Sequence, residues 1–213
     1  MASKKILPHK DHVFVNCPFD PEYKPLFDSI IFAIHYTGFI ARCALEVIDS
    51  GSTRLNKIIR IIEQCKYGIH DISRIELSAG KNLPRFNMPY ECGLFWGCLH
   101  YGNKAQKGKR IIVLDSEAGR YRDSISDISG QDIQVHHNSP EIMIDKIRVW
   151  LNIGSGKTNI PGGKAIWEYY QQFQNDLPLI LSKAKITRAE LDKPEYFADY
   201  IAFIVEWLTQ KKY

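Results

Sequence analysis

No apolar run in the 213-residue sequence approaches the roughly 18 residues that a membrane-spanning helix requires. The opening Met-Ala-Ser-Lys-Lys-Ile-Leu-Pro-His-Lys is charged but has no apolar stretch behind it, so no secretory signal is expected and residues 1–10 read as a polar leader. The five cysteines, Cys17, Cys43, Cys65, Cys92 and Cys98, form no C-x-x-C pair. An odd count in apolar surroundings predicts free buried thiols in a reducing cytoplasm, not a disulfide frame. His136 and His137 lack the spacing and the carboxylate partners of a metal site. No G-x-S-x-G element occurs, and no Cys-His pairing stands out. The net charge of +4 is spread over scattered lysines and arginines, so nucleic-acid binding is not indicated. Gly156-Lys157-Thr158 is not a P-loop, because the first glycine of that motif would fall at Leu151 and a helix precedes it instead of a strand. There are no internal repeats.

What the chain does have is alternation. His12–Asn16 is a short apolar run that reads as a buried strand, stopped by Cys17-Pro18-Phe19-Asp20-Pro21. Residues 22–36 carry apolar positions at helical spacing. Further strands are expected at 39–44, 67–72, 110–115 and 133–136. Helices are expected from a cap at Ser52 or Thr53, from Pro89 to about Tyr101, and over 140–152. The pattern predicts an α/β domain over 11–153, with a five-stranded, mostly parallel, doubly wound (flavodoxin-like) sheet. A Gly-rich linker follows at 154–163, and then a helical extension over 164–213 rich in Trp, Tyr and Phe. Aromatic stripes of that kind serve as core or as a contact between chains, so self-association or a regulatory partner is expected through those helices.

In doubly wound sheets the ligand site lies beyond the carboxyl ends of the strands, near a switch in strand order. Asn16 to Asp20, Asp71 to Arg74 and Asp115 all fall there. The loop before the Pro89 helix opens on the same rim, bringing Glu91. A carboxylate in the first turn of that helix would be held ionised by the helix dipole. Gly93 and Gly97, four apart, would let the helix backbone approach the sheet. Glu91 is either a helix-stabilising acid or a nucleophile for a cationic sugar carbon. Asp71 either caps a loop or assists at the sugar. Asp20 either caps the next helix or binds ribose. Arg74 and Arg85 either meet phosphates or are solvated, and Phe19, Phe86 and Tyr90 either stack on a base or pack. His70 is expected to be a satisfied core histidine.

Val13-Phe14-Val15-Asn16-Cys17-Pro18-Phe19-Asp20, together with Asp71 and Asn87-Met88-Pro89-Tyr90-Glu91-Cys92-Gly93, resembles the nucleoside 2-deoxyribosyltransferase-like proteins and the related bacterial Toll/interleukin-1 receptor (TIR)-like domains. The resemblance spans roughly residues 11–150. It implies an N-glycosidase acting on a nucleotide or NAD, with Glu91 as the catalytic carboxylate and Asp71 as its partner. Asn16, Pro18, Phe19, Asp20, Arg74, Arg85, Asn87, Met88 and Tyr90 would line the pocket. NAD or a nucleotide is then the substrate, with no resident cofactor, in a cytoplasmic effector of antiphage defence. The small residues and acid that transferases carry before the Glu are replaced here by Arg-Phe-Asn-Met-Pro-Tyr, which suits a larger or phosphorylated substrate. The alternative is a nucleotide-sensing or assembly module without turnover. An enzyme of this type is expected to face Glu91 and Asp71 into one cleft, about 5–9 Å apart.

Overall fold

The computed structural model describes residues 7–46, 49–74 and 85–211. It is an α/β fold with an all-parallel five-stranded sheet and seven α-helices among the described residues. The strands are β1 (His9–Asn16), β2 (Ile40–Arg42), β3 (Cys65–Asp71), β4 (Arg110–Asp115) and β5 (Gln134–Val135). The helices are α1 (Lys24–Tyr36), α2 (Arg54–Gln64), α3 (Asn87–Tyr101), α4 (Pro140–Ser155), α5 (Gly163–Ala184), α6 (Arg188–Leu191) and α7 (Phe197–Lys211).

The strand order is β2-β1-β3-β4-β5, the flavodoxin-like order, so the chain reverses its direction of travel across the sheet between β1 and β3. At that switch Asn16 is in register with His70, and Asp71 with Leu114 of β4.

The described residues divide into two compact units. One takes the chain up to Pro18, Ile40–Ala44 and Asp49–His137, and so contains the whole sheet with α2 and α3. Its core joins Phe14, Ile58, Ile61, Ile62, Cys65 and Phe95, with a second cluster of Ile72, Cys92, Val113 and Tyr121. Lys109 closes the end of α2 by donating to the carbonyls of Ile62, at 2.5 Å, and Cys65. Thr53 is the N-cap of α2 and accepts from Asn56 N at 3.3 Å.

The other unit is helical and comprises α1 and α4–α7. The aromatic stripe is its core: Phe32 of α1 meets Tyr170, Phe173 and Trp207 at ring separations of 5.3, 5.5 and 6.1 Å. The C-terminal helices thus belong with α1 and α4, and the division of the chain does not fall at the 154–163 linker. Gly156, with φ 68°, ends α4 in the left-handed conformation, and Lys157 Nζ donates to Gly38 O at 3.1 Å. The Gly-Lys-Thr stretch is a helix C-cap.

Candidate functional site

Helix α3 begins at Asn87, two residues before Pro89, with Phe86 as an N-cap that offers no side-chain bond. Pro89 is the third helical residue, where its missing N–H is no loss because no first-turn N–H has an intrahelical partner. Glu91 therefore lies beyond the first turn, and no acid occupies that turn. The dipole effect fades over one turn, and burial sets the balance instead. Desolvation pushes the Glu91 carboxyl up to about 7, opposed only by the charge of Arg54. The expectation of a dipole-held, fully ionised carboxylate is corrected accordingly. The side chain is half-buried, and among the described residues no hydrogen bond or ion pair reaches it.

Met88, Cys92 and Phe95 form the buried face of α3. Gly93 and Gly97 lie elsewhere on the helix, and a Cβ at either would meet nothing within 4 Å. Their expected role in close sheet contact does not hold.

The first turn of α3 is tied to the switch point by Asn16. Its side-chain nitrogen donates 2.8 Å to Met88 O and 3.0 Å to His70 Nδ1. Burial, aided by the charge of Lys109, pushes the His70 imidazole down to about 3, so it is neutral and its Nδ1 accepts. His70 is a core histidine, tilted against Phe14 and edge-on to Phe95 with ring centroids 5.1 Å apart in the latter pair, but the expectation that it is satisfied is corrected, because its buried Nε2 finds no hydrogen-bond partner among the described residues. It has room because residue 68 is glycine. A Cβ there would stand 2.7 Å from the Phe95 ring and 2.8 Å from His70 Nε2.

The other half of the rim is a buried polar network that is not fully satisfied, since Asp115 Oδ2 finds no hydrogen-bond partner among the described residues. Asp71 Oδ1 accepts from Ser73 N at 2.8 Å, and Oδ2 lies 3.0 Å from His136 Nε2, with both side chains fully buried. Asp115 Oδ1 accepts from Ser116 N and from Arg120 Nη2, each at 2.7 Å, and Arg120 also donates to Ser73 O. Asp71 is thus fully buried within this network. It holds the turn after β3 and the end of β5 in place. The expectation that His136 has no carboxylate partner is corrected by the same pair. The partners stand 65 positions apart in the chain, so only the strand order reveals them.

Pro18 is buried, Met88 is buried, and Asn87 and Tyr90 are exposed on α3. Arg74 is half-buried and Arg85 exposed, at the two borders of 75–84, the part of the expected loop that lies outside the described residues. Phe19 and Asp20 belong to the helical unit. Asp20 accepts from Tyr23 N at 3.0 Å in the turn before α1, whose N-cap is Tyr23 with no side-chain cap bond, and Phe19 packs edge-on to Phe27. Both line a groove of about 460 Å³ with Lys24, Tyr170, Gln174 and Arg188. Among the described residues no three His, Cys, Asp or Glu side chains gather to hold a metal ion, and no helix is long and apolar enough to cross a membrane.

No protein-family model and no curated protein matches the chain.

Proposed function

We propose that the chain cleaves the bond between base and ribose in NAD or a nucleotide, at the rim between β1, β3 and α3. One observation carries this reading. Glu91 is a half-buried carboxylate with no hydrogen-bond or ion-pair partner among the described residues, and its pKa sits near 7. A structural carboxylate gains its place from its partners. One that is desolvated without them is destabilising until a positive charge arrives. A ribosyl cation, or the pyridinium of NAD, supplies that charge.

In the proposed step a Glu91 oxygen bonds to the anomeric carbon while the C–N bond breaks, and the electron pair leaves with the base. Water, or a second base, then displaces the carboxylate. Nicotinamide leaves as a neutral molecule and needs no proton. That agrees with a rim whose second carboxylate, Asp71, is sealed against His136 and acts as a positioning group. The β1 and α3 segments that resemble deoxyribosyltransferase-like and TIR-like proteins support the same chemistry.

On this reading the protein works in the cytoplasm, without a resident cofactor, as an antiphage-defence effector. Assembly or a partner protein bound through the C-terminal helices governs it. The test is a product assay in which the purified chain and its Glu91→Gln variant meet NAD and the nucleoside mono- and triphosphates. Free base from the wild type alone is the expected result. Base release by both proteins removes Glu91 from the mechanism. No release, with or without crosslinked or concentrated chain, removes the glycosidase reading.

A further inference from the structure

The helical unit carries a groove of about 270 Å³ between α5 and α7 that the rim chemistry does not use. Ile180 and Phe203, both half-buried, and the buried Trp207 give it an apolar lining. Trp207 Nε1 donates to Asp176 Oδ2 at 2.8 Å, so the one polar atom of the indole is occupied and its ring offers the groove apolar surface. The same ring packs edge-on to Phe173 with centroids 5.6 Å apart, so the floor is fixed before anything docks on it. Leu179, one helical turn before Lys183 on α5, is 62% exposed. Two exposed charges of opposite sign also line the groove, Lys183 from α5 and Glu206 from α7. Among the described residues Lys183 has no hydrogen-bond or ion-pair partner, and Glu206 accepts only from Gln210 Nε2, at 3.3 Å. Aromatic anchors inside and charges at the border are the anatomy of a protein contact.

The charges select the occupant. A partner surface of one sign would gain at one of the two side chains and lose at the other. A second copy of the chain supplies both signs at the same spacing. About a two-fold axis, Lys183 of each copy meets Glu206 of the other, so one contact is made twice. We infer that the α5–α7 groove is the face through which two copies of the chain pair, with Lys183 and Glu206 joined across it twice and the exposed Leu179 of each copy seated in the groove of the other. This rests on the proposed assembly through the C-terminal helices and gives it a surface and a partner. It does not depend on what the rim cleaves.

The test is the oligomeric state of the full chain by sedimentation velocity, with the product assay run on the same samples. The wild type is expected to pass from monomer to dimer below about 100 μM, the weak end of protein association. Lys183→Glu and Glu206→Lys, both at exposed positions and each checked for an unchanged circular dichroism spectrum, bring like charges together twice. Each is expected to weaken pairing about 10-fold or more. Mixing the two variants is expected to restore a dimer with one copy of each, because every charge then finds its opposite. Leu179→Asp is expected to weaken pairing in the same way, and no mixture rescues it. A wild type that stays monomeric through that range overturns the inference. So does a dimer that all three variants leave intact, which places the contact elsewhere. A mixture of the two charge variants that pairs no better than either alone overturns it too, and gives the groove to a different partner. Species that grow beyond the dimer overturn the closed two-fold pairing. Base release by a chain that stays monomeric overturns this inference and leaves the glycosidase reading standing. A dimer that obeys the charge exchange but releases no base does the reverse.

Discussion

Two carboxylates with raised pKa values stand in the two units, and their surroundings differ in kind. Asp28, in the helical unit, is almost fully buried, but its oxygens meet Lys24 and Arg188, the latter at 3.2 Å, and Asp192 completes the cluster. Burial still pushes its pKa up against the pull of Lys24 and Arg188. Glu91, in the sheet unit, is less buried and, among the described residues, has the charge of Arg54 to steady it but no hydrogen-bond or ion-pair partner. The first carboxylate belongs to a self-neutralised network that ties α1 to α6, and such networks are explained by the fold they hold. The second makes no such contact among the described residues. A fold that could cover Glu91 or replace it, and does not, points to a use outside the folded state.

Removing Glu91 is the sharpest break in that contrast. Glu91→Gln is expected to lower base release on the order of 10³-fold or more, as losses of a covalent catalytic group do. In the wild type the rate is expected to rise with pH through about 7, because the attacking form is ionised. Stability follows the opposite sign. Between the unfolded value near 4.5 and the folded value near 7 the native protein holds the extra proton, so wild-type stability is lost as pH rises. Glu91→Gln is therefore expected to melt higher than wild type at pH 8 and level with it below pH 5. A variant that is inactive and also less stable at pH 8 would make Glu91 a structural residue.

The helical unit breaks differently. Phe173 is fully buried, with Phe32, Tyr200 and Trp207 around its ring at 5.5, 6.0 and 5.6 Å. Phe173→Ala is expected to cost about 3–5 kcal/mol in urea unfolding. A smaller loss, about 1–3 kcal/mol, is expected from Gly68→Ala, whose methyl group would press on Phe95 and His70.

How much of this was legible depends on the range of the interaction. Strand β4 falls on its expected residues, 110–115, because an unbroken apolar run is a local signal. The parallel order of five strands followed from their alternation with helices. The start of α3 was misplaced because Pro89 is a strong local mark. The turn forms two residues earlier, where the buried Met88 side chain and the Asn16 bond to Met88 O hold it. That shift changed the electrostatics of Glu91 from dipole-stabilised to desolvated. Spacing also put Gly93 and Gly97 on one face but could not say which way the face looked. The pairs Asn16 with His70 and Asp71 with His136 join residues 54 and 65 positions apart, and nothing local marks them. Each residue sits at a strand end, which was legible. Which strand end lies beside which was not.

The smallest expected effect tests the Asp28 side of the comparison. Arg188 is 46% exposed, and its removal leaves Lys24 on Asp28. Arg188→Gln is expected to cost about 1 kcal/mol at pH 8, near the top of the range for partly exposed ion pairs. The cost has a direction in pH. Without Arg188 the Asp28 pKa climbs further, so the ionised form becomes harder to keep folded. The penalty is greatest where Asp28 must be charged and shrinks as acid protonates it. Added salt should also reduce it, because a half-exposed guanidinium is screened. Urea titrations of both proteins at pH 8 and pH 5, at low and high salt, read all three effects. A penalty that is the same at both pH values would mean Arg188 contributes by packing its stem and not by its charge. The contrast between a neutralised carboxylate and an abandoned one would then rest on Lys24 alone.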